Sequence, residues 1–313
     1  MKAITYHYIR EKKDLPGNLT YLQNKNFKKQ LDWFDSHSDL ITKEKFFDSI
    51  RQAKPRRKDI VLTFDDGFAD HYKYAFDLLR SKNFWGIFFI SSGPYTTNQL
   101  LDVHRIHVLL SNYGGTRSLE MLLKILDNSK FNQSAVENFQ DSIYKTQSNS
   151  ESVSQFKKIL NYYLDKDLRK NILGELIRNI FSAKEEEKFV KNFYLSTKEI
   201  KDMHKNGMLI GCHGVHHYVM SNLSIDDQKK EIQQSIDFLS DIIGESVKIF
   251  AYPYGTRKTF NSQTEKLLEN HGINMSFSVE EGNITSELIR NQIYSLPRFD
   301  CNKFKYGKNE ITK

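Results

Sequence analysis

The chain has 313 residues, of which 39% are hydrophobic and 27% charged. This balance excludes a disordered or membrane-embedded chain and allows one large α/β domain or two ordinary ones. Lys and Arg number 46 against 39 Asp and Glu, a formal charge of +7. With no continuous basic stripe and no recognised module, that excess gives no support to nucleic-acid binding; it reads as solvated lysines with a weak pull toward an anionic substrate. Cys212 and Cys301 are too few for a disulfide framework. Met1 runs into residues 3–8 without an apolar leader, and no stretch approaches the roughly 20 apolar residues a transmembrane helix needs. The expectation is a cytoplasmic protein with no transmembrane segment.

Residues 4–9 form a short β-type run, and Phe27, Leu31 and Phe34 then fall at helical spacing. Leu40 and Ile41 read as a second short strand before a helix over about 43–53. Residues 59–64 are β-branched and apolar, a helix covers about 72–80, and residues 84–90 are the next strand. Strand, helix, strand, helix is the signature of a parallel sheet or barrel. From about 99 to 194 that rhythm stops. Leu119, Leu122, Leu123 and Leu126, then Phe156, Ile159, Leu160 and Tyr163, make apolar stripes at helical spacing, expected to face a core. Residues 146–154 are polar and expected to be mobile.

The alternation resumes with a capping box, Ser196 with Glu199, opening a helix that ends near Gly207. Strands are then expected at 208–212, 247–251, 273–279 and 293–296, with helices at 224–243 and 261–271. About eight strands with helices between them predict an α/β barrel. Residues 1–98 and 196–313, the latter with a C-terminal tail, form its two parts; residues 99–195 are a helical insertion.

Four motifs at strand ends carry candidate chemistry. Asp65 and Asp66 precede Gly67 after the strand at 59–64. Two adjacent carboxylates are costly unless a cation lies beside them, and a turn at Gly67 can bring both to one cleft; a solvated turn is the alternative. His213, His216 and His217 follow the strand at 208–212. Histidines at i and i+4 suit one divalent ion, against the alternative of a surface cluster. His216 breaks the pair and is expected to point elsewhere, and Cys212 to alternate away from the metal face. Pro253, Tyr254 and Gly255 make a tight loop whose backbone N–H can face the cleft. Arg298 brings a fixed charge after the last strand, or is a surface arginine.

The run Thr63-Phe64-Asp65-Asp66-Gly67, then His213 and His217 after an Ile-Gly pair, then Pro253-Tyr254-Gly255, resembles the polysaccharide deacetylase family (carbohydrate esterase family 4, NodB homology). The resemblance covers roughly residues 1–95 and 197–300. It implies a distorted (β/α) barrel of about seven to eight strands, with the helical insertion outside the common pattern. It implies that Asp65 is the catalytic base, that Asp66, His213 and His217 hold a divalent metal, and that the Tyr254 backbone N–H faces the oxyanion. Zn²⁺ is the favoured ion, with Co²⁺, Ni²⁺ or Fe²⁺ as alternatives. The family's third motif usually begins with arginine, where this chain has Tyr252, so Arg298 is the candidate to orient the base. The usual C-terminal Leu-x-His motif is absent, and an N-terminal strand ends at His7 instead. This is similar to the circularly permuted branch, in which His7 protonates the leaving amine from across the cleft, with room for an acetamide between it and Asp65.

The expected partner is an N-acetylated carbohydrate, linked to a nucleotide, lipid or polysaccharide. The rival readings are an amidase of the same barrel family cleaving a non-sugar C–N bond, and an inactive carbohydrate-binding protein. Three residues that open the insertion remain unassigned. Asp102 and His104 either line the cleft or ligate a second ion, or are a helix cap and a surface histidine; His107 is a substitute candidate for the acid. Asp70 and His71 are expected to start the helix after the glycine turn.

Overall fold

The computed structural model describes residues 1–11, 19–126 and 150–311. Its centre is β5 (Asp59–Phe64), buried at all six positions, as a parallel strand between two apolar layers requires. Around it lie β1 (Lys2–Tyr6), β4 (Asp39–Leu40), β6 (Ile87–Ile90), β7 (Leu209–Cys212), β8 (Ile249–Ala251), β9 (Met275–Phe277) and β10 (Phe299–Asp300). The order is β10-β1-β5-β6-β7-β8-β9, with β4 also on β5, and every pairing is parallel. A single bridge from Phe277 to Leu296 links β9 to the segment that leads into β10. The sheet therefore curls into a distorted (β/α) barrel whose seam is barely closed.

Side chains alternate across this sheet. Ile60, Leu62, Phe64, Phe88 and Ile90 pack outward with Phe27, Leu31, Leu79 and Ile200. Val61, Ile87, Phe89, Ala251 and Phe277 fill the interior. The helices between strands are α1 (Asn24–His37), α2 (Lys43–Arg51) and α3 (Asp77–Ser81), the last preceded by a π-helical stretch at His71–Phe76. A short α4 (Gly93–Thr97) follows β6.

Among the described residues the insertion after α4 holds α5 (Asp102–Ile125), α6 (Glu151–Lys158), α7 (Lys166–Ile177) and α8 (Ala183–Phe193). They share an apolar cluster of their own, including Ile106, Leu122, Phe156, Leu160, Leu173, Ile177 and Phe193, which also takes in Tyr8 and Phe68 from the barrel. Helices α9 (Thr197–Lys205), α10 (Ile225–Ile243), α11 (Ser262–Asn270) and α12 (Ser286–Asn291) complete the second half. Ser196 and Glu199 form the capping box that opens α9. Among the described residues no helix is long and apolar enough to cross a membrane.

Several expectations need correction. Residues 293–296 are not a strand: Ile293–Ser295 is a 3₁₀ turn, because the Tyr294 carbonyl accepts from the Tyr252 and Ser276 hydroxyls. The closing strand is β10. Leu123 is 53% exposed while Leu122 and Leu126 are buried: the buried line of this stripe runs at i, i+4, and Leu123 falls beside it. Of the segment expected to be mobile, residues 146–149 lie outside the described residues, and Ser150 caps α6 by accepting from the Val153 amide. A small sheet, β11-β3-β2, was not anticipated; it joins β2 (Ile9–Arg10), β3 (Thr20–Gln23) and β11 (Glu310–Ile311).

Candidate metal and catalytic site

The site is built from the turns that follow β1, β5, β7 and β8. Asp65 continues the inward parity of Val61 and Thr63, its amide donating to the Tyr6 carbonyl at 3.0 Å. Asp66 then takes a left-handed step (φ 76), which turns its carboxylate to the same end of the barrel instead of the opposite face. Gly67 must be glycine: it is left-handed, and a Cβ there would meet Ile90 Cγ2 at 2.9 Å. After β7, Gly214 and His217 are also left-handed (φ 72 and 58), folding the histidine loop back over Asp66.

Asp66 Oδ1 lies 3.5 Å from His213 Nε2 and 3.5 Å from His217 Nε2. All three side chains are buried, and one donor atom from each falls within 4.8 Å of the others. His213 Nδ1 meets the Ala251 carbonyl at 2.7 Å; a carbonyl only accepts, so Nδ1 carries the hydrogen and Nε2 offers its lone pair. Burial pushes the His217 imidazole down to about 3, so it is neutral. Burial also works against the Asp66 charge, but His104 and His217 outweigh it and hold the carboxyl well below the usual range. Asp66 Oδ1 nevertheless has no hydrogen-bond partner, an arrangement too costly to be idle in a buried carboxylate. Donor atoms around a tetrahedral ion with bonds of 2.0–2.1 Å stand about 3.3 Å apart. The spacing, burial and N/N/O chemistry of this trio therefore fit a divalent cation.

Asp65 is treated differently. Arg298 grips it with both arms of its guanidinium, at 2.7 Å to Oδ1 and 2.8 Å to Oδ2, and is itself held by the Ser278 carbonyl at 2.9 Å. Both side chains are almost fully buried. Burial alone would raise the Asp65 carboxyl, but the charge and hydrogen bonds of Arg298 prevail and leave it below its ordinary value. Tyr252, where the family pattern has arginine, faces the outer layer, stacked on Phe260 at 3.8 Å and donating to the Tyr294 carbonyl.

His7 Nε2 stands 3.9 Å from Asp65 Oδ2, with its side chain 43% exposed. The expectation that His7 faces Asp65 across the cleft is corrected: β1 pairs directly with β5, so the two side chains are neighbours and no acetamide fits between them. His71, buried and pushed down to about 4, donates from Nε2 to the His7 carbonyl at 2.8 Å. Tyr254 is left-handed (φ 60), its ring edge-on to His217 at 4.9 Å and its hydroxyl donating to Asn161 at 2.9 Å. His216 turns away to Glu231, which also accepts from the Val215 and His216 amides at 2.8 Å. Cys212 packs in the outer layer.

The insertion contributes more than its sequence suggested. Asp102 caps nothing; it accepts from Arg169 Nε at 2.9 Å. His104 is no surface histidine but fully buried, with Nε2 3.3 Å from Asp66 Oδ2. Its Nδ1 lies 2.5 Å from the Tyr194 hydroxyl, which burial pushes well above its ordinary pKa. His107 Nδ1 pairs with the Tyr8 hydroxyl at 3.1 Å. Glu231 and Tyr194 were not anticipated, because each is a single polar residue with no motif around it.

Residues 176–276 match the family model for polysaccharide deacetylase. The matched segment holds His213, His217 and Tyr254; Asp65, Asp66, His7 and Arg298 lie outside it. No curated protein sequence matches. The Streptococcus pyogenes deacetylase PplD, described in complex with acetate, has a similar fold (TM-score 0.56, 16% identity, covering 96% of this chain and 91% of that one). So do IcaB from Ammonifex degensii (0.54, 15%, 95% and 91%) and the BpsB deacetylase domain from Bordetella bronchiseptica (0.54, 12%, 96% and 95%). The likeness of fold extends over 95–96% of the chain, including residues beyond the family match.

Proposed function

We propose that this protein is a divalent-metal-dependent hydrolase that removes N-acetyl groups from an amino sugar within a carbohydrate. The observation that carries this reading is the buried, unpartnered Oδ1 of Asp66 facing two imidazole nitrogens, next to a second carboxylate that Arg298 keeps separate. Asp66, His213 and His217 would hold the ion, with Zn²⁺ favoured by the donor set and Co²⁺, Ni²⁺ or Fe²⁺ as substitutes. When bound, such an ion supplies Lewis-acid polarisation of the attacking water and the acyl oxygen.

The remaining chemistry belongs to the chain. Arg298 keeps Asp65 ionised and fixed in orientation, so its carboxylate accepts the proton of the attacking water. The Tyr254 backbone N–H donates to the developing oxyanion. His7, 3.9 Å from Asp65 and half in solvent, delivers a proton to the leaving nitrogen from the same side of the cleft as the base. The position of β1 between β10 and β5 supports reading that strand as the permuted counterpart of the family's histidine-bearing C-terminal strand.

Acetate release is the test, measured over chito-oligomers, N-acetylated glycolipids and nucleotide sugars. Release from one sugar class supports the reading and names the carrier. Release from none, by protein loaded with Zn²⁺ or Co²⁺, leaves the non-sugar amidase or the binding protein.

A further inference from the structure

The two ends of the helical insertion meet at Asp66. His104 lies in the first turn of α5, and Tyr194 follows directly after α8. Phe68 and Tyr194 form an antiparallel bridge, and the Leu195 amide donates to the Gly67 carbonyl at 2.9 Å. The turn that carries Asp66 is thus clamped by a segment remote from it in sequence.

The hydrogen bonds at this point have one consistent direction. The Leu101 amide donates to the Tyr194 hydroxyl at 3.1 Å. That hydroxyl has one hydrogen to give, and His104 Nδ1 at 2.5 Å is the acceptor it meets. Nδ1 therefore has no hydrogen of its own, and in the neutral ring the hydrogen sits on Nε2. Nε2 points at Asp66 Oδ2 from 3.3 Å without completing a hydrogen bond, and is itself a buried polar atom without a partner. The two oxygens of Asp66 are divided: Oδ2 toward an N–H, Oδ1 toward the two lone pairs of His213 and His217.

We propose that His104 is a positioning residue that Tyr194 holds in its Nε2–H tautomer, so that it anchors Asp66 Oδ2 and leaves Oδ1 for the metal. The helical insertion thereby sets the metal affinity of the barrel. His104 stands outside the converging trio and touches the ion only through Asp66. Outer partners of this kind typically change metal affinity by 10–100-fold. The proposal rests on the metal reading of the trio.

The test is equilibrium Zn²⁺ binding to the full chain, freed of metal and titrated against a competing chromophoric chelator. Wild type, His104→Ala, His104→Gln and Tyr194→Phe are compared, with thermal melting of each metal-free protein as the check on folding. His104→Ala should bind Zn²⁺ about 10–100-fold more weakly. His104→Gln, which restores an N–H toward Oδ2, should recover most of that loss, and Tyr194→Phe should fall between. In ¹⁵N-histidine spectra of the metal-free wild type, the His104 ring should show the Nε2–H pattern. Unchanged affinity in His104→Ala, equal losses in His104→Ala and His104→Gln, or an Nδ1–H pattern would each overturn the proposal. If His104→Ala does not fold, Tyr194→Phe and the tautomer decide alone. A wild type that takes up no ion would sink the metal reading and this proposal together; binding that ignores His104 sinks only this one.

Discussion

Asp65 and Asp66 are identical neighbours in the chain, yet the two sides of the site give them opposite surroundings. On one side Asp65 has both oxygens saturated by Arg298. On the other, Asp66 keeps one oxygen without a hydrogen bond among imidazoles. Identity of side chain therefore says nothing about role here; the neighbours that the fold delivers decide it. A carboxylate held by a guanidinium stays ionised and fixed, as the proposed base must be, whereas one with an idle oxygen suits the proposed cation.

The strongest way to break this contrast is to remove the idle oxygen. Purified wild type should carry about one equivalent of a divalent ion, and Asp66→Ala none, with acetate release at background. Equal ion content by elemental analysis would end the distinction. Asp65→Asn should keep the ion and lose about two to four orders of magnitude in turnover; loss of the ion instead would exchange the two roles.

Smaller effects sharpen the comparison. Arg298→Ala leaves a buried carboxylate without its partner and should cost about 3–5 kcal/mol in denaturant unfolding. A change near zero would mean that water reaches Asp65. His7→Ala should slow an acetamide substrate by about 10²-fold and an activated acetate ester far less, with ion content unchanged; equal slowing of both removes His7 as the acid. His216→Ala should be mildest, retaining the ion and losing about 1 kcal/mol of stability, since Glu231 still accepts from two amides.

What was legible in the sequence is what lies on consecutive residues at strand ends. Asp65 and Asp66, His213 and His217, and Tyr254 could be found because each motif sits where an apolar run stops, and Arg298 because it follows Pro297 at the end of the chain's last apolar run. The barrel was legible for the same reason, through the alternation of short apolar runs and amphipathic helices. The rest depends on distance in sequence. His104, Tyr194 and Glu231 are single polar residues that only the packing of α5, α8 and α10 brings to the site. The neighbouring position of His7 follows from strand pairing, which a linear motif does not encode. Leu123 departs from its stripe because the buried line there is only one residue wide, Leu122 and Leu126.

Asp66 and His217 both hold a left-handed backbone that side-chain-bearing residues enter at a cost of about 1–2 kcal/mol each. Glycine would enter it freely. A library of this protein screened only for resistance to heat should thus drift toward glycine at these positions, and survivors would be sturdier and inert. Screening for durability and screening for turnover pull the same two residues in opposite directions, so any improvement programme has to score both at once.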